Sequence, residues 1–474
     1  MQINERRLSI IVFSLFFSWL LAFPFEGQIL YALAQQYNID PHAMIFGSIT
    51  ANFIGLFLGG FLVKTISAAK KLILFSIPYC MICSSVFFFK PSILWNIALV
   101  SSSFLASACV AAWGFYYKSC TPSNERIKTA ADGLIFSNLL MILMNTVAIQ
   151  LSPYAGLSLS ILILGGALFF SVRLPENDPQ TAMPRQPEKA EKNMSIYKPL
   201  IFLCLFITII TINSGLMYQV INPAFAHIEW LVSWYWAVPY IVALYVVKNL
   251  PRKINRSYIL YVAIAMIGFS FIFFMTLDRS AASYLLINTL MLGACGVYDL
   301  FWWSILGEML DMEKNPAKIL GMGLSANVLG VLLGGLIGSS ITAPGVPGYN
   351  ASVLALAVVC MSLAILPPLH KHLSELLKNH AFLVVLSEMS PVEQNKAVIT
   401  AIDNFTMIGQ LTERESEIAA LLLKGRTYKM IARELYLSEN TIKTHIKNIY
   451  SKFNIKSRME LVNRMMEKNN PQSK

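Results

Sequence analysis

The sequence predicts an all-α, polytopic membrane protein that ends in a small soluble helical domain. The chain has 474 residues, of which 56% are hydrophobic and 13% are charged, about half the charged fraction of a soluble domain. Its mean hydropathy is +0.58. Apolar runs long enough to cross a bilayer recur up to residue 369, and the composition turns polar from His370 onward. These observations indicate a large membrane region followed by a small soluble one.

Twelve apolar runs qualify as membrane-spanning helices, since a bilayer requires about 20 such residues. They lie at 8–25, 43–63, 72–89, 93–117, 131–151, 154–172, 199–220, 229–247, 257–277, 281–306, 319–342 and 350–369. We expect the first run to be an uncleaved helix, because the break at 24–27 separates it from a possible signal-peptidase site at 32–34. We expect Pro367 and Pro368 to end the last span.

The basic residues of the loops predict the orientation of the chain. If the N-terminus is cytoplasmic, Lys90 and Arg279 are the only basic residues in the outer loops, and all others of the membrane region lie inside. Cytoplasmic loops are enriched in lysine and arginine. The sequence therefore predicts a multi-pass protein of the bacterial inner membrane with both termini in the cytoplasm.

A polar, proline-containing stretch separates the sixth run from the seventh. It predicts a cytoplasmic connector at 173–198, between a first six-helix bundle at 1–172 and a second at 199–369.

Two groups of six spans joined by a cytoplasmic connector resemble the major facilitator superfamily. The loop after the second span contains residues of that family's motif, namely Gly59, Gly60, Lys70 and Lys71, but Lys64 stands where the family has an acidic residue. In the family this acidic residue helps the two bundles lock and release. The resemblance implies two bundles that rock around a site at the bilayer midplane.

Charged residues inside membrane spans are costly and therefore mark candidate sites. Asp299 lies among aromatic residues in the tenth run, and Glu26 lies where the first run breaks. Two interpretations of Asp299 stay open: a hydrogen bond or ion pair between the bundles, and a group that senses a ligand or a proton. We expect Trp113 and Trp302 to line a cavity and, with Asp299 and Glu26, to be the ligand-sensing candidates.

Other residues of the spans have structural roles in this interpretation. We expect Trp234 and Trp236 to lie in the aromatic belt at the membrane surface, and Glu308 and Asp311 to form a solvated rim. The CxxC motif at 80–83 has no second pair and no nearby histidine. We therefore expect buried thiols there, with no metal site and no cofactor.

The polar end of the chain divides into a linker at 370–410, to which we assign no chemistry, and a domain at 411–474. Thr412 predicts the N-cap of an amphipathic helix that Gly425 ends, and a second short helix follows. Ser438 caps a predicted third helix, and a fourth comes after it. The predicted core consists of Ile418, Leu421, Leu422, Ile431, Leu435, Leu437, Ile442, Ile446, Ile449 and Leu461.

Four short helices with a tight turn between the second and third resemble the LuxR-type helix-turn-helix domain. The residues that match its motif, or a close equivalent, are Leu411, Thr412, Arg414, Glu415, Gly425, Lys429, Ile431, Ala432, Leu435, Ser438, Thr441, Ile442, Lys443, His445, Ile449, Lys452 and Arg458. The resemblance implies binding to the major groove of double-stranded DNA. It also implies a homodimer formed through the fourth helix around Met459, Val462 and Met466.

The third helix of this domain has the character of a recognition helix. Its outward face contains Lys443, Thr444 and Lys447, where the family's base-contacting side chains would be. A solvated basic face would explain any single lysine but not the whole pattern. The residues expected to contact phosphates or to orient the helix are Thr427, Lys429, Thr441, His445 and Lys452.

The two regions together predict a membrane-bound bacterial transcriptional regulator. Its transporter-like membrane domain would sense an unknown small-molecule ligand or a membrane signal, and its tail would bind promoter DNA. The alternative is a functional secondary transporter with an appended autoregulatory DNA-binding domain. We do not expect an enzyme, because the sequence has no phosphate-binding glycine loop, no nucleophile arrangement and no metal-ligand cluster.

Overall fold

The computed structural model describes residues 4–176, 196–250, 256–342, 350–377, 411–423, 428, 431–432, 435, 437–453, 455 and 460. The chain divides into two compact units, Met1–Leu383 and Val384–Lys474. The secondary structure of the described residues is helical, which confirms the all-α prediction.

Sixteen of the α-helices that the structure describes lie in the first unit and two in the second. They are α1 (Glu5–Ala22), α2 (Gln28–Gln36), α3 (His42–Leu62), α4 (Ile66–Ser85), α5 (Ile93–Ala112), α6 (Gly114–Ser119), α7 (Arg126–Gln150), α8 (Pro153–Ser171), α9 (Tyr197–Leu216), α10 (Asn222–Ala224), α11 (Glu229–Tyr235), α12 (Val238–Asn249), α13 (Arg256–Thr276), α14 (Ala281–Met309), α15 (Pro316–Ile341), α16 (Asn350–Leu376), α17 (Glu413–Leu423) and α18 (Glu439–Phe453). We call α1–α8 the first half of the first unit and α9–α16 its second half.

The first unit has the properties of a polytopic membrane protein. Among the described residues, 11 helical segments are long and apolar enough to cross a membrane. Its outer surface exposes large apolar side chains such as Leu62, Ile82 and Leu151, which lipid tails would cover. Helix α1 is not among the 11 segments, because its 18 residues begin with Glu5-Arg6-Arg7. The count of twelve spans and their division into two bundles therefore stay predictions.

Two predicted spans of the second half are interrupted helices, and a proline explains each interruption. A π-helical turn, Met217–Ile221, follows α9 just before Pro223. The predicted span at 229–247 breaks at 236–237, between α11 and α12, and Pro239 lies in the first turn of α12. A proline ring collides with the carbonyl four residues earlier in a regular helix, and for Pro239 this is the last residue of α11.

The prediction that Pro367 and Pro368 end the last span is wrong. Helix α16 continues through both prolines to Leu376. The continuation keeps Leu369 and Leu373 fully buried in the core of the unit. Packing of this apolar stripe therefore overrides the loss of two backbone donors.

Helices α3 and α15 bring the two halves of the first unit into close contact. A Cβ atom on Gly321 would lie 2.6 Å from the carbonyl oxygen of Leu56 and 2.9 Å from the Cα atom of Gly60. Real Cβ atoms do not approach backbone so closely, and any larger residue at this position would force the helices apart.

The second unit has its own small core, with Ile418, Ile431 and Ile446 buried in it. Helix α17 begins with a capping box, since the Thr412 hydroxyl accepts from the Glu415 amide at 3.3 Å and the Glu415 carboxylate accepts from the Thr412 amide at 2.9 Å. This confirms the predicted cap. The predicted fourth helix and Leu461 lie outside the described residues, as do most of the second helix, of the connector and of the linker.

Candidate functional site

Helix α18 exposes one polar face and buries the other. Ile442, Ile446 and Ile449 are 0%, 3% and 0% exposed, and they fix the helix on the core of the second unit. Lys443 and Lys447 are exposed on the opposite side. The helix therefore has a rigid inner face and a free cationic outer face.

The N-terminus of α18 is capped as the sequence predicted. The Ser438 hydroxyl accepts from the Thr441 amide at 3.1 Å and lies 2.8 Å from the Thr441 hydroxyl oxygen. Thr444 is exposed, and its hydroxyl donates to the backbone carbonyl of Asn440 at 3.0 Å. His445 is half-buried. Both threonine hydroxyls thus have partners inside the helix.

Lys452 joins the end of α18 to the start of α17. Its ammonium donates to the Glu415 carboxylate at 2.6 Å, and the Glu415 side chain is 5% exposed. Burial raises the pKa of Glu415, but hydrogen bonds from Lys452 and Thr412 outweigh it and hold the pKa below its usual value. Lys452 therefore has a structural partner within the domain. Two other predicted DNA contacts, Thr427 and Lys429, lie outside the described residues.

The first unit contains a cavity of about 150 Å³ between its two halves. Aromatic side chains from both halves line it, including Phe17, Phe25, Tyr218, Trp236 and Trp303. Amide side chains of α3, α7 and α15 also reach it. The structure places no group of three or more His, Cys, Asp or Glu side chains, among the residues it describes, where they could hold a metal ion.

Asp299 lines the cavity, as expected for a ligand-sensing candidate. Its carboxylate accepts a hydrogen bond from the Tyr240 hydroxyl at 2.6 Å. Tyr240 lies on α12 and Asp299 on α14, so this bond joins two helices of the second half. It does not make the contact between bundles that one interpretation of Asp299 required.

Trp113 and Trp302 do not line the cavity, contrary to expectation. Trp113 is 3% exposed, donates to the Ser9 hydroxyl at 2.9 Å and packs 4.3 Å from the Phe13 ring. Trp302 is 2% exposed and stacks on Tyr298 at 6.4 Å. Both tryptophans are core residues, because successive residues of a helix face different directions and the neighbouring position faces the cavity.

Glu26 lies beside the cavity without lining it. Its carboxylate accepts from the Tyr31 hydroxyl at 2.7 Å, and its φ of 51° is in the left-handed region. The preceding residue, Phe25, does line the cavity. Glu26 therefore shapes the bend after α1 that brings Phe25 to the cavity wall.

Sequence reasoning missed three cavity residues. Trp236, expected in the membrane belt, lines the cavity, and so do Tyr218 and Tyr240. They lie at or beside the two interrupted helices. A signal for them exists in the sequence, since Pro223 and Pro239 interrupt neighbouring apolar runs and interrupted helices mark binding sites in transporter folds.

A group of polar contacts ties the two halves together at the end of the unit where α14 ends. Arg126, only 2% exposed, donates to both carboxylate oxygens of Asp311 at 2.7 and 2.8 Å and to the Gly307 carbonyl at 2.7 Å. Asp311, expected only as a solvated rim residue, thus forms a bidentate ion pair between the halves.

Three further contacts cross between the halves at this end. Lys118 donates to the Glu313 carbonyl at 2.9 Å, the Asn315 amide donates to the Gly60 carbonyl at 2.9 Å, and Lys248 pairs with Asp132. We call the four pairs the latch: Arg126–Asp311, Lys118–Glu313, Gly60–Asn315 and Asp132–Lys248.

The C-terminal region matches known regulators. The family model described as "Bacterial regulatory proteins, luxR family" matches residues 409–465. The chain is 44% identical over 52 residues to the spore germination protein GerE of Bacillus subtilis, of which it covers 70%. It is 45% identical over 53 residues to the nitrate/nitrite response regulator protein NarL of Escherichia coli, and this match spans 24% of NarL and 11% of the present chain.

The membrane unit resembles solved transporters in fold. The human organic anion transporter MFSD10 (TETRAN) superposes with a TM-score of 0.61 at 14% identity, covering 77% of this chain and 100% of that one. A bacterial homologue of the iron transporter ferroportin in an outward-facing state gives a TM-score of 0.57 at 15% identity, covering 78% of this chain and 98% of the other.

The fold and the site define a multi-pass membrane protein with a major facilitator-like fold and a C-terminal helix-turn-helix DNA-binding domain. Through this domain the chain belongs to the luxR family of bacterial regulatory proteins. Both resemblances expected from the sequence are thereby confirmed.

Proposed function

We propose that the chain is a membrane-bound transcriptional regulator whose tail binds double-stranded DNA through α18. The observation that supports this most directly is the exposed face of α18, with Lys443 and Lys447 opposite three buried isoleucines. The helix fits the major groove in width, and its lysines carry the charge that phosphates and guanine edges attract. Membership of the luxR family supports the same role.

The other predicted residues complete the proposed interface. Thr444 lies between the two lysines and exchanges its present backbone bond for a base or phosphate contact when DNA binds. Thr441, His445 and Lys452 flank the helix on the phosphate side. The segment around Met459, Val462 and Met466 makes a homodimer, so that two recognition helices meet half-sites about one DNA turn apart.

For the membrane unit we propose a sensing role in the bacterial inner membrane, with both termini in the cytoplasm. The loop charges support this orientation, which places the tail in the compartment that contains DNA. The cavity with Asp299 is the proposed ligand site. A ligand acts by binding one arrangement of the two halves more tightly than another, and opening or closing of the latch separates these arrangements.

The experiment uses the full-length chain in lipid nanodiscs and a DNA duplex selected from a random library. Lys443→Ala with Lys447→Ala should weaken binding at least tenfold, since base-contacting lysines are worth about 1–3 kcal/mol each. Fluorescence anisotropy at several salt concentrations should also give a salt slope smaller by about 1 per lost phosphate contact.

The matched control removes two exposed lysines of the membrane unit, Lys64→Ala with Lys71→Ala, which lowers the net charge by the same amount. This double variant should bind the duplex as the parent does. Equal binding by both double variants would contradict the assignment of α18 as the recognition helix.

A second function, secondary transport with an autoregulatory tail, is favoured by one observation. The cavity lies between two halves that a latch joins at one end, as transport by alternating access requires. Counterflow in proteoliposomes tests it: substrate exchange that Asp299→Asn abolishes would support transport, and an impermeable but ligand-binding protein would support sensing alone.

A further inference from the structure

We propose that the cavity of the first unit binds a small organic cation, namely an ammonium group on an apolar body about the size of one aromatic ring. The proposal rests on the sensing role proposed above and names the chemical class of its ligand.

The charge of the cavity wall is the first step. Asp299 is the only acidic side chain among the described residues that line the cavity, and none of these lining residues is Lys, Arg or His. The Tyr240 hydroxyl donates to the carboxylate at 2.6 Å but brings no positive charge. A carboxylate away from bulk water is costly unless a cation pairs with it. The wall is therefore complementary to one positive charge.

The aromatic side chains are the second step. Tyr218, Trp236 and Trp303 line the same cavity as Asp299. The faces of such rings attract organic ammonium groups by about 0.5–2 kcal/mol each, and most strongly where water is excluded. A bare inorganic cation would find one carboxylate and few other oxygen ligands. The combination of one acid with several rings selects a cation with an apolar body.

The size of the cavity is the third step. Its volume is about 150 Å³. An engineered apolar cavity of about this volume in another protein holds one benzene molecule. The ligand is accordingly a one-ring or similarly small aliphatic amine, and large lipophilic cations are excluded.

Other candidates for a partner of Asp299 lie elsewhere in the unit. The cations of the latch are engaged at the end of α14, where Arg126 binds Asp311 and Lys118 binds the Glu313 carbonyl. Lys248 at the end of α12 pairs with Asp132. The helices around the cavity thus use these cations at their ends, and the charge that Asp299 lacks comes from the ligand.

The test measures binding of three probes of nearly equal size and different charge: benzylamine, benzyl alcohol and benzoate. Full-length protein in nanodiscs is titrated by calorimetry at pH 7, without DNA. Benzylamine should bind saturably and at least tenfold more tightly than benzyl alcohol, and benzoate should not bind. This comparison uses the unaltered chain and does not depend on whether any variant folds.

Variants locate the binding at Asp299. Asp299→Asn keeps the shape and should weaken benzylamine at least tenfold while leaving benzyl alcohol unchanged. Glu229→Gln, an exposed acid of α11, is the matched control and should bind benzylamine as the parent does.

Three outcomes would overturn the proposal. They are equal binding of benzylamine and benzyl alcohol, tighter binding of benzoate, and an unaltered preference for benzylamine in Asp299→Asn. Uptake of a proton that depends on Asp299, without any binding of amines, would assign the residue to proton sensing and would also overturn it. Failure of DNA binding in the nanodisc assay would remove the regulator function and leave this result standing, so the two failures are distinguishable.

Discussion

Replacing Asp311 with asparagine should loosen the latch. The exchange removes the negative charge that Arg126 binds through two hydrogen bonds, while the Arg126 side chain keeps its bond to the Gly307 carbonyl. Breaking a fully buried pair costs about 3–5 kcal/mol, and breaking an exposed one costs about 0–1 kcal/mol. The Arg126 side chain is 2% exposed and that of Asp311 43%, so we expect about 2 kcal/mol. This loss falls on arrangements in which the halves meet, and it favours opening at this end about thirtyfold.

Double electron–electron resonance measures this opening as a distance. Spin labels at Lys64 and Lys314, both exposed and on opposite halves near the latch, report the separation of the halves in a background without native cysteines. The parent should give one short distance. Asp311→Asn should add a longer component whose share grows with temperature.

The control breaks an ion pair within one half at the same end. Lys70 and Glu176 pair at 3.1 Å, and both belong to the first half. Glu176→Gln should therefore leave the distance distribution unchanged. If Asp311→Asn also left it unchanged, or if Glu176→Gln altered it equally, the ion pair would not restrain the halves and the reasoning would be refuted.

Two further exchanges test other contacts. Gly321→Ala places a methyl group against Gly60 across the halves and should lengthen the same label distance, as Asp311→Asn does. Glu415→Gln should flatten the acid dependence of the second unit's stability, measured by hydrogen exchange of α18 in the full chain and corrected for intrinsic rates. Because its pKa is lowered in the folded state, the carboxylate stabilises fully above its unfolded pKa of about 4.3, and this stabilisation is lost as pH falls through the folded pKa.

Each exchange has a matched control. A Cβ atom on Gly165 would lie 3.8 Å from the Met81 side chain, an ordinary contact, so Gly165→Ala should not change the label distance. Glu417 pairs with Arg414 but is 55% exposed, and Glu417→Gln should keep most of the parent's acid dependence. Unchanged behaviour of Gly321→Ala, or a parent-like acid profile in Glu415→Gln, would contradict the respective interpretation.

The second unit was the more predictable of the two. The caps at Thr412 and Ser438, and the alternation of Ile442 and Ile446 with Lys443 and Lys447, follow from local rules of helix capping and amphipathic spacing. Such rules act over three or four residues, so the sequence contains them in full. The partner of Lys452 lies far away in sequence, and only the folded domain reveals it.

The membrane unit yielded its helices but not the roles of its polar residues. Apolar length predicts a span, yet every face of such a helix is apolar and periodicity cannot tell which face meets a cavity. The neighbouring tryptophans Trp302 and Trp303 illustrate this, since one packs in the core and the other lines the cavity. The ion pair of Arg126 with Asp311 joins residues that no local pattern relates.

Helix α14 gives the cavity and the latch a common frame. Asp311 follows Asp299 by 12 residues along this helix and the turn after it, a separation of about 18 Å. If a cavity ligand changes the strength of the latch, thermodynamic reciprocity requires the latch to change the ligand's affinity by the same factor. A titration of benzylamine against latch variants would therefore measure, in free energy, how much of a chemical signal reaches the far end of one helix.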